Sequence, residues 1–502
     1  MNVIIAGAGP NGLMLACELA LAGVRPVVLE ALSEPSNEPK ANGLVGEVVR
    51  LVDHRGLYEA LAGRPGPPVP NSDYFPYAGM YLNLGLLDES PLHVLPAPQR
   101  KIVQVLTERA VELGVEIRHG HELVGLKQDS SEVTVEVDGP DGRYELSAAY
   151  LVGADGARSA VRKLSGIDFG GVTYDRRTLR MAHATVPADW VDPTTRGLKI
   201  PGHGVAWPFL GIRTEQGGFS YAPLPDHPPT ISTVEWDQPP TEDPMTMDEL
   251  RASVRRVLGV DVPLGEPDDD GPHLMNRLTR GHNRVAARFR DGRVFLLGDA
   301  AHILAYGGGG LNLGMQDAAN LGWKLAAEIN GTAPAGLLDT YDTERRIAAE
   351  RMITYGYATN ALVAPGSDVT ALRVLFAEML GDPAATRRIA ELLAGSDIRY
   401  DMGVAEPHPL VGRFAPAMDL VTPDGPTRLA ELARTGRPLL LDFTGTLGHF
   451  QGVVDVITAE PIDGLPAAVL IRPDNYVAWA SSSADGLSDA LDRWFGVAVN
   501  HV

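Results

Sequence analysis

An α/β chain is what three features of this sequence predict: a parallel sheet interrupted by a mostly β segment, then a small separate α/β unit. The chain opens on an apolar run, Asn2-Val-Ile-Ile-Ala6, that enters the turn Gly7-Ala-Gly9-Pro10-Asn11-Gly12 and then a helical pattern. Far downstream, Arg293-Val-Phe-Leu-Leu-Gly298-Asp299 again carries an apolar strand into a glycine turn, and a second helix follows Gly307-Gly-Gly-Gly310-Leu311-Asn312. Between about 172 and 272 the chain is rich in Pro, Trp and Tyr with short alternating runs, which reads as an inserted β region.

Taken in order, the first helix runs from Leu13 to Ala22 and ends at Gly23, before a second strand, Arg25-Pro-Val-Val-Leu-Glu30. A helix is expected near Leu44 to Leu57. The proline-rich stretch Arg64 to Pro70 then breaks the pattern and leads to an aromatic segment with Tyr74, Phe75, Tyr77 and Tyr81. Gln99 to Glu112 has helical periodicity, and Val115-Glu-Ile-Arg118 returns to strand. The alternation Glu132-Val-Thr-Val-Glu-Val-Asp138 marks half-buried antiparallel strands, and Ala149 to Gly153 is a parallel-type strand. One helix, Met247 to Leu258, interrupts the β region, and helical sequence dominates from Leu311 to Leu393. After Pro407-His-Pro409, Pro438 to Phe443 and Ala467 to Arg472 read as strands of the separate unit.

The composition excludes several roles. Net charge is −21 without a basic cluster, so neither nucleic acid nor an anionic membrane is an expected partner. The single cysteine, Cys17, rules out an intrachain disulfide and a multi-cysteine metal site, and no metal is expected. No apolar run is long enough to span a bilayer and the first strand starts directly after Met1, so the expected location is the cytoplasm.

The first turn has explicit chemistry. Gly7 permits the bend after the strand, Gly9 lets the backbone approach a pyrophosphate, and Gly12 lets helix and strand pack closely. The anion sits on the free amides of the helix that begins near Pro10. Glu30 closes the second strand, where a carboxylate accepts ribose hydroxyls. This is a Rossmann-like domain. Because a second strand end, Gly298-Asp299, feeds another helix from the opposite side, the ligand is expected to be a long dinucleotide such as FAD. Asp299 is placed to accept hydrogen bonds from a polyol chain. Asp155-Gly156-Ala157-Arg158-Ser159 reads either as a third anion-receptive turn or as an Asx turn with a serine cap. His302 reads as a structural histidine.

Together, the glycine turn at 7–12, Asp155-Gly-Ala-Arg-Ser-Ala-Val-Arg162, Gly298-Asp-Ala-Ala-His302 and Leu311-Asn-Leu-Gly-Met-Gln-Asp-Ala-Ala-Asn-Leu-Gly-Trp-Lys-Leu325 resemble the group A flavoprotein monooxygenases. Within them the chain is most similar to the aromatic polyketide hydroxylases, the branch of angucycline-, tetracycline- and rifamycin-type enzymes. The similarity extends to Arg472-Pro-Asp-Asn-Tyr-Val-Ala-Trp479, which resembles the end of that branch's thioredoxin-like domain. It implies a glutathione reductase-type FAD-binding domain over 1–171 and 274–400, with an excursion toward the substrate near 70–98. A substrate-binding β-sheet domain would cover 172–273 and a thioredoxin-like domain 401–502. That last domain has no Cys-x-x-Cys, so a packing or homodimer-forming role is expected of it.

Carried over residue by residue, the resemblance implies that Gly7, Gly9, Pro10, Asn11, Gly12 and Glu30 hold the ADP half of FAD. Lys40 and Gln99 would lie near the flavin, and Asp155 near the pyrophosphate. Gly298 and Asp299 would bind the ribityl chain, and Gly310, Leu311 and Asn312 would present a helix N-terminus to the isoalloxazine. NADPH or NADH would visit as reductant, with Arg158 and Arg162 meeting its phosphates. The implied reaction is oxygenation of a polycyclic aromatic substrate by O2 through a flavin C4a-hydroperoxide, by hydroxylation or by Baeyer–Villiger insertion. No side chain is expected to act as nucleophile. Trp207, Phe209, Phe219 and Tyr221 are the expected substrate contacts on the inserted sheet.

Three departures from the family pattern keep other chemistries open. Ile303-Leu-Ala-Tyr306-Gly307-Gly308-Gly309-Gly310 lacks the usual Pro and Gln beside the reaction site, and glycines there restrain the backbone little. Glu47 stands near the flavin where relatives carry Arg, with Arg50 where they carry Glu; Arg100-Lys101-Ile102 alters the residues after Pro98-Gln99. A redox-neutral flavoprotein, or a protein that binds FAD and a polycycle without turnover, therefore remain alternatives.

Overall fold

The computed structural model describes every residue except 1, 37, 39, 40, 225, 226, 240, 269, 270, 306–308, 453 and 497–502. Along the chain, β1 (Val3–Ala6) leads into α1 (Pro10–Leu21) and β2 (Val27–Glu30). A hairpin of β3 (Tyr74–Tyr77) and β4 (Met80–Asn83) precedes α2 (Gln99–Glu112), β5 (Glu116–His119), β6 (Tyr150–Gly153) and the short α3 (Ala160–Leu164). The inserted region holds β7 (Arg177–His183), β8 (Ile212–Arg213), β9 (Gly217–Ala222), β10 (Thr230–Trp236), α4 (Met247–Leu258) and β11 (Met275–Leu278). Then come β12 (Arg290–Asp291), β13 (Val294–Leu296), α5 (Gly310–Ile329), α6 (Asp339–Val363), α7 (Ser367–Met379) and α8 (Pro383–Ala394). The last unit has β14 (Leu439–Asp442), β15 (Asp455–Thr458), β16 (Ala468–Ile471), β17 (Val477–Ser481) and α9 (Leu487–Phe495). Near 44–57, where one helix is expected, the chain forms a short strand, Gly43–Val45, and a shorter helix, Glu47–Asp53. Gly46 between them, at φ 84, cannot continue either element.

The large sheet has the order β12-β13-β6-β1-β2-β5, parallel except for the edge pair β12–β13. Its central strands β1, β6 and β13 are buried on both faces, as their apolar runs require, while the edge strands β5 and β12 are partly exposed. The chain winds outward from β1 to β2 and β5, then returns to the other side of β1 as β6. A topological switch therefore lies between β1 and β6, where open α/β sheets bind ligands. α1 and α5 pack closely across it: a Cβ on Gly314 would stand 2.2 Å from Asn11 Nδ2, and one on Gly322 2.5 Å from Glu18 Cβ.

The inserted sheet, β8-β9-β10-β7-β11, is antiparallel throughout, and α4 covers one of its faces. The C-terminal sheet has the order β15-β14-β16-β17. Its segment Arg472–Tyr476 plugs into the first domain. Arg472, 1% exposed, forms a two-pronged ion pair with Glu344 of α6 at 2.7 and 2.8 Å and also pairs with Asp474. Lys324 and Asn320 of α5 complete the cluster around Glu344. The Pro473 carbonyl accepts from Arg55, whose guanidinium also grips Glu18 of α1, and Asn475 bonds His54 at 2.8 Å. The motif thus serves packing between domains, with the Arg472 and Asp474 charges and the Asn475 oxygen all partnered.

His54 gives this interface a pH dependence. Burial, then the nearby Arg50 charge, depress its pKa from 6.5 to about 3. A histidine held neutral when folded but free to protonate when unfolded favours folding fully above pH 6.5, and that contribution fades as pH falls toward the folded value. Denaturant titrations from pH 7 down to 5 should show falling stability, with a shallower slope in His54→Gln.

Candidate active site

A cleft of about 1040 Å³ opens at the switch point, along the carboxyl ends of β1, β2 and β6. Gly7, Gly9, Pro10, Asn11, Glu30, Gln99, Asp155, Arg158, Asp299, Gly310 and Leu311 all line it. Gly7 has φ 107 and sits so close to the next strand that a Cβ would meet Ala154 O at 2.5 Å. Gly12 lies beneath, where a Cβ would stand 2.1 Å from the Gly7 oxygen. By contrast, a Cβ on Gly9 would meet nothing within 4 Å of the protein, so Gly9 leaves open space at the start of α1. Gly9 caps α1 and Gly309 caps α5, neither with a side-chain hydrogen bond, so both helices present first-turn amides and a positive dipole end.

The acidic residues are held in place by backbone. Glu30 accepts from the amides of Ala8 at 2.8 Å and Leu32 at 3.0 Å, and each oxygen keeps further acceptor capacity. Asp155 Oδ2 accepts from Ala160 and Val161 at 2.7 and 3.0 Å, while its Oδ1 is buried with no partner among the described residues. Asn11 Oδ1 is likewise buried and unpartnered among them. Buried acceptors left over at a cleft wall fit a bound molecule that brings its own donors. Ser159 does cap α3, its hydroxyl oxygen accepting from Arg162 N–H at 2.9 Å, so turn and cap coexist in this motif.

Behind the second turn, Asp317 of α5 holds three donors. Its carboxylate accepts from Gly298 N–H at 3.1 Å, His302 Nε2 at 2.7 Å and Arg345 Nε at 2.7 Å. Burial alone would raise its pKa, but the His302 and Arg345 charges outweigh that and hold it at about 2. His302, 0% exposed, is structural, and the cluster fixes the Gly298–Asp299 turn at φ 58 for Gly298. Asp299 itself is exposed to the cleft, its Oδ1 3.3 Å from where a Cβ on Gly310 would be. Asp299→Ala should weaken FAD retention by about 1–3 kcal/mol through unpaired hydroxyls, read as the free fraction in equilibrium dialysis.

Other expected residues fall elsewhere. Lys40, Tyr306, Gly307 and Gly308 lie outside the described residues. Asn312 accepts from Val45 N–H at 3.2 Å and, with Gly309, borders a second, narrow apolar cavity of about 70 Å³. Its walls include Phe75 of β3, from the segment expected near the substrate, and Met352 and Tyr355 of α6 and Leu393 of α8, which nothing in the sequence brought to the site. Met352 and Tyr355 share a helix face at i, i+3, the one signal that pairs them. Phe219 and Tyr221, 1% and 3% exposed, are not on a free face: both point into the core under α4. Trp207 and Phe209, 39% and 43% exposed, sit in a loop packed against Tyr74 and Tyr81 of the hairpin rather than on the sheet. Strand parity, unreadable without the register, decides the first pair. Arg162 is 5% exposed, with its guanidinium on the Ala300 and Ala157 carbonyls and over Phe169 at 3.8 Å, so it cannot reach a visiting phosphate. Arg280 and His282 line the cleft instead. Glu47 and Arg50 pair with each other at 2.7 Å, and Arg50 turns to the Ala415 carbonyl; neither lines the cleft. Burial pushes the Glu47 carboxyl up, and Arg50 offsets part of that.

A Rossmann-type switch-point cleft, closed from both ends by uncapped helix N-termini and faced by a separate β-sheet, defines an FAD-binding flavoprotein. Residues 1–355 match the FAD binding domain family and residues 408–498 the family described as aromatic-ring hydroxylase, C-terminal, and the chain belongs to these FAD-dependent aromatic-ring monooxygenases. It is 40% identical to the 12-dehydrotetracycline 5-monooxygenase/anhydrotetracycline 6-monooxygenase of Streptomyces rimosus subsp. rimosus, over 99% of both chains. The solved anhydrotetracycline hydroxylase OxyS from Streptomyces rimosus superposes with a TM-score of 0.85 at 39% identity, over 99% of each chain. The Diels-Alderase PyrE3 of the pyrroindomycin pathway superposes at 0.81 with 34% identity, again over 99% of each. FAD is the family's cofactor and NAD(P)H its typical reductant.

Proposed function

We propose that this chain uses NAD(P)H and O2 to oxygenate a polycyclic aromatic polyketide, by hydroxylation or by insertion beside a ketone. The observation that carries the reading is the convergence of α1 and α5 on one cleft, with Asp155 and Asn11 acceptors left over for a ligand. Gly7, Gly9, Pro10, Asn11 and the α1 amides hold the pyrophosphate in this reading, with Gly12 giving the close helix packing. Glu30 takes the adenosine ribose, Asp299 the ribityl chain, and Gln99 the flavin edge. The amides of Gly310, Leu311 and Asn312 stabilise negative charge at the pyrimidine edge. Bound and reduced, the flavin supplies the oxygen-activating chemistry. The chain supplies placement and a dry wall: Phe75, Met352, Tyr355 and Leu393 keep water from the cavity beside Asn312.

Domain limits near 171, 273 and 400 follow from this reading, as does a thioredoxin-like last domain. In it Asp442 ties down the turn after β14 through Thr444, Gly445 and Leu447 amides, leaving a scaffold rather than a redox site. For the reductant, Arg158 and Arg280 are two of the three guanidinium groups at the cleft, with Arg100, that form no ion pair among the described residues. Replacing either with Ala should slow anaerobic flavin reduction about tenfold or more, the worth of a charge-assisted phosphate contact, at unchanged FAD content. Equal reduction rates would remove them from this role.

A second reading is a redox-neutral catalyst that keeps FAD as scaffold, favoured by the likeness to the Diels-Alderase PyrE3. Turnover under ¹⁸O2 with NAD(P)H counted against product separates the two. Label in the product at one NAD(P)H per oxygen supports oxygenation; product without label or NAD(P)H use supports the second reading. FAD and polycycle bound without any product would leave a binding protein.

A further inference from the structure

Pairing register assigns each side chain of the inserted sheet to a face. Phe219, Thr233 and Arg180 form one cross-strand row, and Tyr221, Ile231 and Ala182 another; both lie on the α4 side. The intervening rows therefore point the other way. One is Ser220, Ser232, Met181 and Asn276; the next is Gly218, Val234, Leu179 and Leu278. Leu278 itself lines the cofactor cleft, so this is the face that looks onto it.

Its chemistry is uniform. Leu179, Met181 and Val234 are half-buried and apolar, and the one charged side chain in the two rows is Arg213, opposite Gly218 on the edge strand β8, whose guanidinium is held by the Ala364 and Gly366 carbonyls and the Thr370 hydroxyl. The charged groups stand at the ends. Arg177 donates to Asn360 at 2.9 Å and lies over Trp236, and His183 accepts from Leu274 N–H and stacks on His227 at 4.4 Å. In the middle, Ser220 and Ser232 are direct cross-strand partners, which sets their Cβ atoms about 5 Å apart. Both are half-buried, and neither hydroxyl makes a hydrogen bond among the described residues. Two neighbouring hydroxyls, each donor and acceptor, on an otherwise apolar wall match adjacent oxygens on the edge of a flat ligand.

We propose that Ser220 and Ser232, with Asn276 beside them, are the polar recognition element for the substrate, and that they select an uncharged polycycle through its phenol or ketone oxygens. The proposal rests on the monooxygenase reading and sets the substrate between this sheet and the flavin. A carboxylated polycycle would bring an anion against a wall whose cations, Arg177 and Arg213, stand at its edges and already donate to protein oxygens, and an unpaired charge is costly to bury.

The test uses the FAD-loaded full chain and the change in flavin absorbance on titration with a peri-dihydroxyanthraquinone or its ring-carboxylated counterpart. The neutral probe should bind at least about tenfold tighter than the carboxylate, the scale of one unmet polar group. Ser220→Ala and Ser232→Ala should each weaken the neutral probe by about five- to tenfold, while Ser→Thr at either position restores most of the affinity. FAD content should stay the same, which separates recognition from a general disturbance of the fold. Equal affinity for the two probes, or alanine variants that bind like the parent, would overturn the proposal and leave the monooxygenase reading standing. If no polycycle perturbs the flavin, the substrate's placement fails and the proposal with it.

Discussion

Replacing Arg472 by alanine is expected to lower stability by about 3–5 kcal/mol, because it leaves buried carboxylates without their main counter-charge. Glu344 and Asp474 would then keep Lys324, the Asn320 amide and the Tyr476 N–H as donors, with Lys324 the one remaining cation among them. Arg472 also fills space among Trp494, Trp323 and Tyr400, whose rings lie 4.5, 5.4 and 5.6 Å from its guanidinium carbon. Both the charge and the packing are lost, so Arg472→Lys should recover part of the deficit and Arg472→Met less. Thermal melts and limited proteolysis give the readout: the C-terminal unit should become the first to be cut. A variant that melts with the parent would show that the plug contributes little to holding the domains together.

The second large effect separates two glycines that a motif treats alike. Gly12→Ala puts a Cβ 2.1 Å from the Gly7 carbonyl oxygen and 3.2 Å from Ala154 Cβ, both inside the protein. It should cost about 1–3 kcal/mol of stability even without cofactor, as overpacking does. Gly9→Ala meets nothing in the protein and keeps a backbone, φ −71, that any residue adopts. The apoprotein should therefore melt like the parent. Its added methyl occupies the space through which the backbone reaches the pyrophosphate, so FAD affinity should fall about tenfold or more. Loss of FAD in Gly12→Ala with parental apo stability, or full FAD retention in Gly9→Ala, would each contradict this division of roles.

What could be read from the residues follows the range of the forces involved. The glycine turn, Glu30 and the strand ends at Asp155 and Asp299 were legible because each is local: an apolar run, a turn, a helix start. The helix expected near Met247 to Leu258 is there, with Thr246 capping it and Gly259 ending it. The substrate wall was not. Phe219 and Tyr221 alternate correctly as strand residues, yet alternation cannot say which side of a sheet meets a cleft; that depends on α4, which arrives later in the chain. Arg162 read as a phosphate ligand because its motif is cationic, while its burial beneath Phe169 is tertiary. The second cavity draws on β3, α6 and α8 at once, and no local pattern joins them.

The strand order of the large sheet also bears on how the protein is made. A nascent chain that has reached Gly153 already holds β1, β2, β5 and β6, with the α1 side of the cleft complete. The exposed edge of β6 must wait for β13, and the switch point must wait for Asp299 and α5, while the whole inserted sheet is synthesised in between. Such long-range closure is slow and leaves a strand edge open to wrong partners. Until the ribosome has released residues beyond Ile329, the dinucleotide has only half a site. Loading is thereby tied to a nearly finished polypeptide, and a fragment that stops before Gly298, with only the α1 half of the cleft, is expected to retain flavin poorly.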